Sequence, residues 1–228
     1  MLTGAALGGM ALVEPASCIF SAAHIPVTLF ALYRMYWHQD HRRHLAFWGV
    51  YTAVGWAGLA AWVFSALHHG THWEWATRVD YFGALLYLTA LATCAVVRGL
   101  ELHDRTVRLR VVQGALAAWV LRCVSMQVWG FDYSINMALC VAMYAVHAGG
   151  WVWLALRRSN RHPQSKQILS LSVMLAACGC LELWDFPPLW GIMDAHAIWH
   201  SLTPLVTLLW HLLVVEKDLE FLTATKDK

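Results

Sequence analysis

The stretch Ala46-Phe47-Trp48-Gly49-Val50-Tyr51-Thr52-Ala53-Val54-Gly55-Trp56-Ala57-Gly58-Leu59-Ala60-Ala61-Trp62-Val63-Phe64-Ser65-Ala66-Leu67-His68 contains no Asp, Glu, Lys or Arg. At 1.5 Å per residue a helix of this length crosses a hydrocarbon core about 30 Å thick. Six more runs are comparably long and apolar, with at most one Asp, Glu, Lys or Arg each: Cys18–Trp37, Asp80–Val97, Val111–Trp129, Asn136–Leu156, Gln167–Trp184 and Ala195–Val215. The segments between them carry charge and turn residues, as in Gln39-Asp40-His41-Arg42-Arg43 and Arg157-Arg158-Ser159-Asn160-Arg161-His162-Pro163. The pattern predicts an all-α, polytopic membrane protein, a bundle of seven transmembrane helices. It reads as a single domain over 1–228, with a short interfacial start (1–17) and a polar tail (216–228).

The whole chain agrees. Its 228 residues are 59% hydrophobic and 13% charged, with mean hydropathy +0.50, against roughly 45–50% apolar and about 25% charged in soluble domains. So little polar surface excludes a soluble enzyme, a disordered chain and a secreted disulfide scaffold. A net charge of +2 with its basic residues in short loops implies no nucleic-acid partner. The six cysteines fall mostly inside apolar runs, where cysteine is a small hydrophobe, so few or no disulfides are expected. Met1 to Ser17 lacks the basic start of a signal peptide. A retinal protein is excluded, because none of Lys166, Lys217, Lys226 and Lys228 lies within the seventh helix.

Thirteen of the sixteen Lys and Arg fall beyond helices one, three, five and seven, with only Arg78 on the opposite face. The positive-inside rule then puts the C-terminus in the cytosol and the N-terminus in a lumen. Glu14, Glu74, Asp80, Asp132, Glu182, Asp185 and Asp194 gather on the lumenal side. That acidic bias is either the complement of the basic one or a working rim.

Ionisable groups within a membrane segment are candidates for function. Ser65 and His69 stand four apart at the end of helix two. Asp80 opens helix three, and His196 and His200 open helix seven, again four apart. Residues four apart share a helix face, and the topology puts all five at one depth. Three imidazoles suit a catalytic zinc site with an open position, and iron, copper or nickel as well. A nearby carboxylate can orient a water and take its proton, and a hydroxyl one turn from a ligand can support an oxyanion. Packing or haem ligation remain alternatives for such histidines. His68 is the substitute ligand if the register slips by one, and His72 reads as interfacial. His24, His147 and His211 read as satisfied by neighbouring helices. Arg34 and Arg122 are expected to snorkel or pair with carboxylates. Glu182 and Asp185, beside Pro187-Pro188, either support the site or shape the loop. Gly149-Gly150 is expected to allow close helix packing.

Leu181-Glu182-Leu183-Trp184-Asp185-Phe186-Pro187-Pro188-Leu189, followed by Asp194-Ala195-His196-Ala197-Ile198-Trp199-His200, closely resembles the signature of the Per1-like family. Glu14-Pro15-Ala16-Ser17, Ser65 with His69, Asp80-Tyr81-Phe82 and Phe131-Asp132-Tyr133 match in order. That family sits in a superfamily with alkaline ceramidases and the adiponectin and progestin receptors. The resemblance implies seven helices and a zinc ion held by His69, His196 and His200. It implies Asp80 as the water-side carboxylate and Ser65 as the supporting hydroxyl. The implied role is GPI-anchor lipid remodelling, a phospholipase A2-like release of the sn-2 acyl chain. The implied partners are GPI-anchored proteins and membrane lipids, in the endoplasmic reticulum or Golgi. Glu182, Asp185 and Asp194 would then receive the glucosamine ammonium, with Glu14 as a supporting residue. The rivals are an alkaline ceramidase-like amidase, a non-catalytic receptor, and a haem protein using His24, His147 or His211. The chain departs from the family at its start, where Met1–Val13 stands in place of a longer cysteine-containing segment.

Overall fold

A computed structural model describes residues 6–7, 10–11, 14–38, 42–71, 73–157, 162–184, 186–189 and 193–226. Two short strands, β1 (Ala6–Leu7) and β2 (Met10–Ala11), pair antiparallel. The helices are α1 (Pro15–Tyr33, continued by a π turn Arg34–His38), α2 (Trp48–Thr71), α3 (Glu74–Gly99), α4 (Arg105–Val128), α5 (Tyr133–Arg157) and α6 (Ser165–Trp184). Then α7 (Ala195–Trp210) runs through a π turn, His211–Val215, into α8 (Glu216–Lys226) without a break. Seven of these rods are long and apolar enough to cross a membrane, as an integral membrane protein requires.

Local chemistry marks several starts. Pro15 opens α1, where a missing N–H costs nothing. Asp104 caps α4 by accepting the Val107 N–H at 2.8 Å, and Asp194 caps α7 by accepting the Ala197 N–H at 2.7 Å. In arrangement, α1, α2, α3, α5, α6 and α7 form a closed ring, each packed on the next and α7 back on α1. Helix α4 stands outside the ring, packed chiefly on α3. At Gly150 the α3 and α5 backbones nearly touch. A Cβ there would stand 2.9 Å from the Ala95 carbonyl oxygen. Gly149 beside it has open space, so only one of the pair serves close packing.

Most of the expected polar tail forms α8, whose Glu216 and Asp218 point inward while Lys217 and Glu220 pair at the surface. Asp218 is completely buried and accepts from four donors. They are Tyr51 Oη on α2 (2.6 Å), Arg98 Nε and Nη2 on α3 (both 2.7 Å) and His162 Nε2 (2.9 Å). Arg34 donates from Nε and Nη2, one edge of its guanidinium, to the two carboxylate oxygens of Glu216 at 2.8 and 2.6 Å. Arg34 thus pairs with a carboxylate, as the sequence suggests. Removing one partner of a buried pair leaves the other charge without compensation. Asp218→Ala is therefore expected to destabilise the detergent-solubilised protein by about 3–5 kcal/mol, measured by denaturant unfolding. Arg98→Met combined with Asp218→Leu should cost less than either single change, because no charge remains stranded.

Candidate metal centre

The last turn of α2 and the first turns of α7 meet at one end of the ring. The Asp194 cap fixes where α7 begins, and with it the direction of His196 and, one turn on, His200. His69 comes from the last turn of α2. The three rings converge. His200 Nε2 lies 2.8 Å from His196 Nε2, which lies 3.3 Å from His69 Nε2. Their ligand atoms all fall within 4.8 Å of one another.

The outward nitrogens explain the inward ones. His69 Nδ1 sits 2.6 Å from Glu14 Oε2, and His196 Nδ1 sits 2.6 Å from Glu182 Oε2. An ionised carboxylate only accepts, so each of these Nδ1 atoms carries a proton, and in the neutral ring each Nε2 then presents a lone pair. Two lone pairs 3.3 Å apart repel unless a cation lies between them. Four nitrogens arranged tetrahedrally around zinc at 2.0–2.1 Å stand about 3.3–3.4 Å apart. A histidine ligand whose other nitrogen donates to a carboxylate is the usual metal arrangement. The His69–His196 spacing matches one small divalent ion, and the 2.8 Å between His196 and His200 would have to open by about half an ångström to match it. Glu14→Ala and Glu182→Ala are each expected to weaken zinc binding by about 10–100-fold, read by competition with a chromophoric chelator.

His200 is held differently. Its Nδ1 lies 3.5 Å from Ser21 Oγ, which lies 3.0 Å from Ser65 Oγ. Ser65 therefore reaches a ring of the triad through Ser21. Ser21 was not apparent from spacing alone, though Ser17, Ser21, His24 and Thr28 all lie buried along one face of α1. Asp80 is half-buried beside the triad, within electrostatic reach of His69, His196, Glu14 and Glu182. It makes no side-chain hydrogen bond to a described residue, so its carboxylate is available to a ligand. Below the rings, Trp62 stacks on His24 at 3.5 Å and meets His200 edge-on at 5.6 Å.

The matching family model covers residues 8–218 and carries the description Per1-like family. The chain belongs to the Per1-like family. Among its relatives, the hamster (Cricetulus griseus) GPI-specific phospholipase A2-like PGAP3 is 30% identical over 176 residues, 77% of this chain and 55% of its own. The mouse (Mus musculus) protein of that name is 34% identical over 170 residues, 71% of this chain and 51% of its own. The Drosophila melanogaster post-GPI attachment to proteins factor 3 is 30% identical over 197 residues, 86% of this chain and 60% of its own. The chain thus spans little more than half the length of these relatives. No solved structure matches it.

In this Per1-like chain the signature lies where α6 ends and α7 begins. Leu189 and Met193 close that connection through paired backbone hydrogen bonds of 2.7 and 3.2 Å. Asp185 and His72 lie outside the described residues. Of the expected rim acids, Glu182 is engaged by His196 and Asp194 by the α7 backbone. Each therefore has one carboxylate oxygen engaged within the protein. His68 turns aside to Thr77 Oγ1 (3.0 Å), so the register puts His69 in the cluster. His24 bonds Thr203 Oγ1 at 2.9 Å and His147 bonds the Leu91 carbonyl at 3.2 Å, while His211 lies 3.2 Å from Glu216. All three contact neighbouring groups. Arg122 donates to Ser125 Oγ at 3.1 Å and pairs with no carboxylate among the described residues, which leaves snorkelling as the expected alternative.

Proposed function

We propose that this chain is a zinc-dependent hydrolase that cleaves the sn-2 acyl ester of GPI-anchored proteins. The observation that carries the reading is the set of three converging Nε2 atoms, two of them backed by carboxylates, with Asp80 alongside. The names of the relatives support the substrate class. Zinc at His69, His196 and His200 would supply a Lewis acid that polarises the ester carbonyl and makes water more acidic. Glu14 and Glu182 hold their histidines in the tautomer that leaves Nε2 free. Asp80 takes a proton from the attacking water as its oxygen bonds to the acyl carbon. The bond to the glycerol oxygen then breaks, and Asp80 returns the proton to that oxygen. The products are a free fatty acid and a lyso-GPI. Ser65, hydrogen-bonded to Ser21, is the hydroxyl that supports the oxyanion.

The basic asymmetry of the loops supports a lumenal N-terminus, a cytosolic C-terminus and a site opening to the lumenal leaflet. That is the side on which a GPI-anchored protein and its glycan reside, in the endoplasmic reticulum or Golgi. The test is a parallel assay of purified protein on diacyl GPI and on ceramide. Release of fatty acid and lyso-GPI from the first alone is the expected result. Turnover of ceramide alone would make the chain an amidase. Saturable lipid binding without turnover of either would make it a receptor.

A further inference from the structure

His24 carries a polar ring that the interior only half satisfies. It is fully buried on α1, and its Nδ1 has no hydrogen-bond partner among the described residues. A buried polar atom without a partner is unfavourable, and an apolar side chain would fill the space without it. What the imidazole adds is Nε2, 2.9 Å from Thr203 Oγ1 on α7. Thr203 donates its own hydroxyl proton to the Trp199 carbonyl at 3.0 Å. Its oxygen therefore accepts, and His24 donates from Nε2–H.

Thr203 stands one turn beyond His200, and the helix is short of a bond between them. Pro204 has no N–H to return to the His200 carbonyl, the acceptor four residues back. His24 lies against that same carbonyl. It ties α7 down where the helix's own ladder is interrupted. A second route to His200 runs through the rings. Trp62 of α2 stacks on His24 at 3.5 Å, with the planes 8° apart, and meets the His200 ring edge-on at 5.6 Å. Ser21 faces His200 Nδ1 and, three residues on, His24 faces Thr203, so α1 supports α7 on both sides of His200. His69 and His196 are each fixed by a carboxylate, and His200 is the ligand whose outward nitrogen meets a hydroxyl instead.

We propose that His24 is a positioning residue of the metal centre, holding His200 in its ligating orientation through Thr203 and Trp62. It touches neither the ion nor a substrate, and acts wholly through buried contacts within the protein. The Nε2–H bond fixes the backbone of α7 just past the ligand, and the stacked indole limits how far the His200 ring can turn. The inference rests on the metal-centre reading and deepens it, since it gives the third ligand a support on α1.

The experiment measures the Zn²⁺ affinity of the full chain in detergent by competition with a chromophoric chelator. His24→Leu and Thr203→Val are each expected to weaken binding by about tenfold, the lower end of what a group behind a ligand contributes. His24→Gln, whose amide can donate from close to the place of Nε2, should recover most of that loss. The double variant should bind zinc no more weakly than His24→Leu alone, because both changes break one contact. His147→Leu is the control. It removes another buried imidazole, bonded to the Leu91 carbonyl, and should leave zinc affinity within twofold. Thr203→Val keeps the size of its side chain, so the test survives if His24→Leu does not fold. A lower unfolding temperature with unaltered zinc affinity in both single variants would overturn the proposal and leave His24 as core packing. Equal losses in His24→Leu and His24→Gln, or additive losses in the double variant, would also overturn it. Zinc binding that depends on His24 and Thr203, without hydrolysis of diacyl GPI, would sink the hydrolase reading and leave the assignment of His24 standing. Hydrolysis by the wild type with zinc affinity unaltered in both variants would do the reverse.

Discussion

His196→Ala and His200→Ala are each expected to give a helical, detergent-stable protein that purifies without the one zinc per chain expected of the wild type. Both are expected to lose lyso-GPI formation by about a thousandfold or more. The magnitude follows from the several kcal/mol a Lewis acid contributes to a developing charge, at 1.36 kcal/mol per tenfold in rate. The effect on the metal should exceed that of Glu14→Ala or Glu182→Ala. Those changes remove the group behind a ligand, whereas these remove the ligand itself. Elemental analysis checks the metal, and circular dichroism checks the helices. A folded wild-type protein without zinc would sink the reading, and the three rings would then be a packing cluster. His68→Ala is the control, since its ring bonds Thr77 on α3 and its loss should leave the metal in place.

Asp80→Asn is expected to keep zinc near one per chain and to reduce turnover by about 10²–10⁴-fold, the range that a positioned general base contributes. The carboxamide fills the same space but cannot take a proton from water. Because Asp80 makes no side-chain hydrogen bond to a described residue, its replacement breaks no contact that holds α3. A loss of rate would therefore report on proton transfer and not on folding. A measurement of fatty acid release beside zinc content separates the two. Full activity in this variant would remove Asp80 from the mechanism.

The seven helices could be read from the sequence because each apolar run is closed by charged loops. Helix α8 could not. Glu216, Lys217 and Asp218 look like the start of a solvated tail, and partners distant in sequence, Arg34, Arg98, Tyr51 and His162, help make the burial of Glu216 and Asp218 tolerable. The ring order was equally hidden, since hydropathy says that a helix meets lipid but not which helix it meets. In the site, the pairs Ser65/His69 and His196/His200 were legible because four residues make one turn. The contacts behind His69 and His196 came from Glu14 and Glu182, which signature resemblance and proximity to the loop pointed toward without assigning partners. Ser21 carried no such cue, because serine is an ordinary small residue in a membrane helix. For Arg122 the sequence left two readings, snorkelling or a carboxylate partner, and its side chain donates to Ser125 Oγ on its own helix.

Helices α7 and α8 behave mechanically as a single shaft. The apolar span that contains them is 30 residues long, from Ala195 to Ala224, or about 45 Å at the rise of an α-helix. Two of the triad's histidines ride on one end, and the other is bolted by Glu216 and Asp218 to α1, α2 and α3. Each residue of axial slip would turn the shaft by about 100° and swing both imidazoles away from His69. The far bolts therefore set the azimuth of the centre. Loosening them should detune the metal site from the opposite end of the molecule, without touching any residue near it.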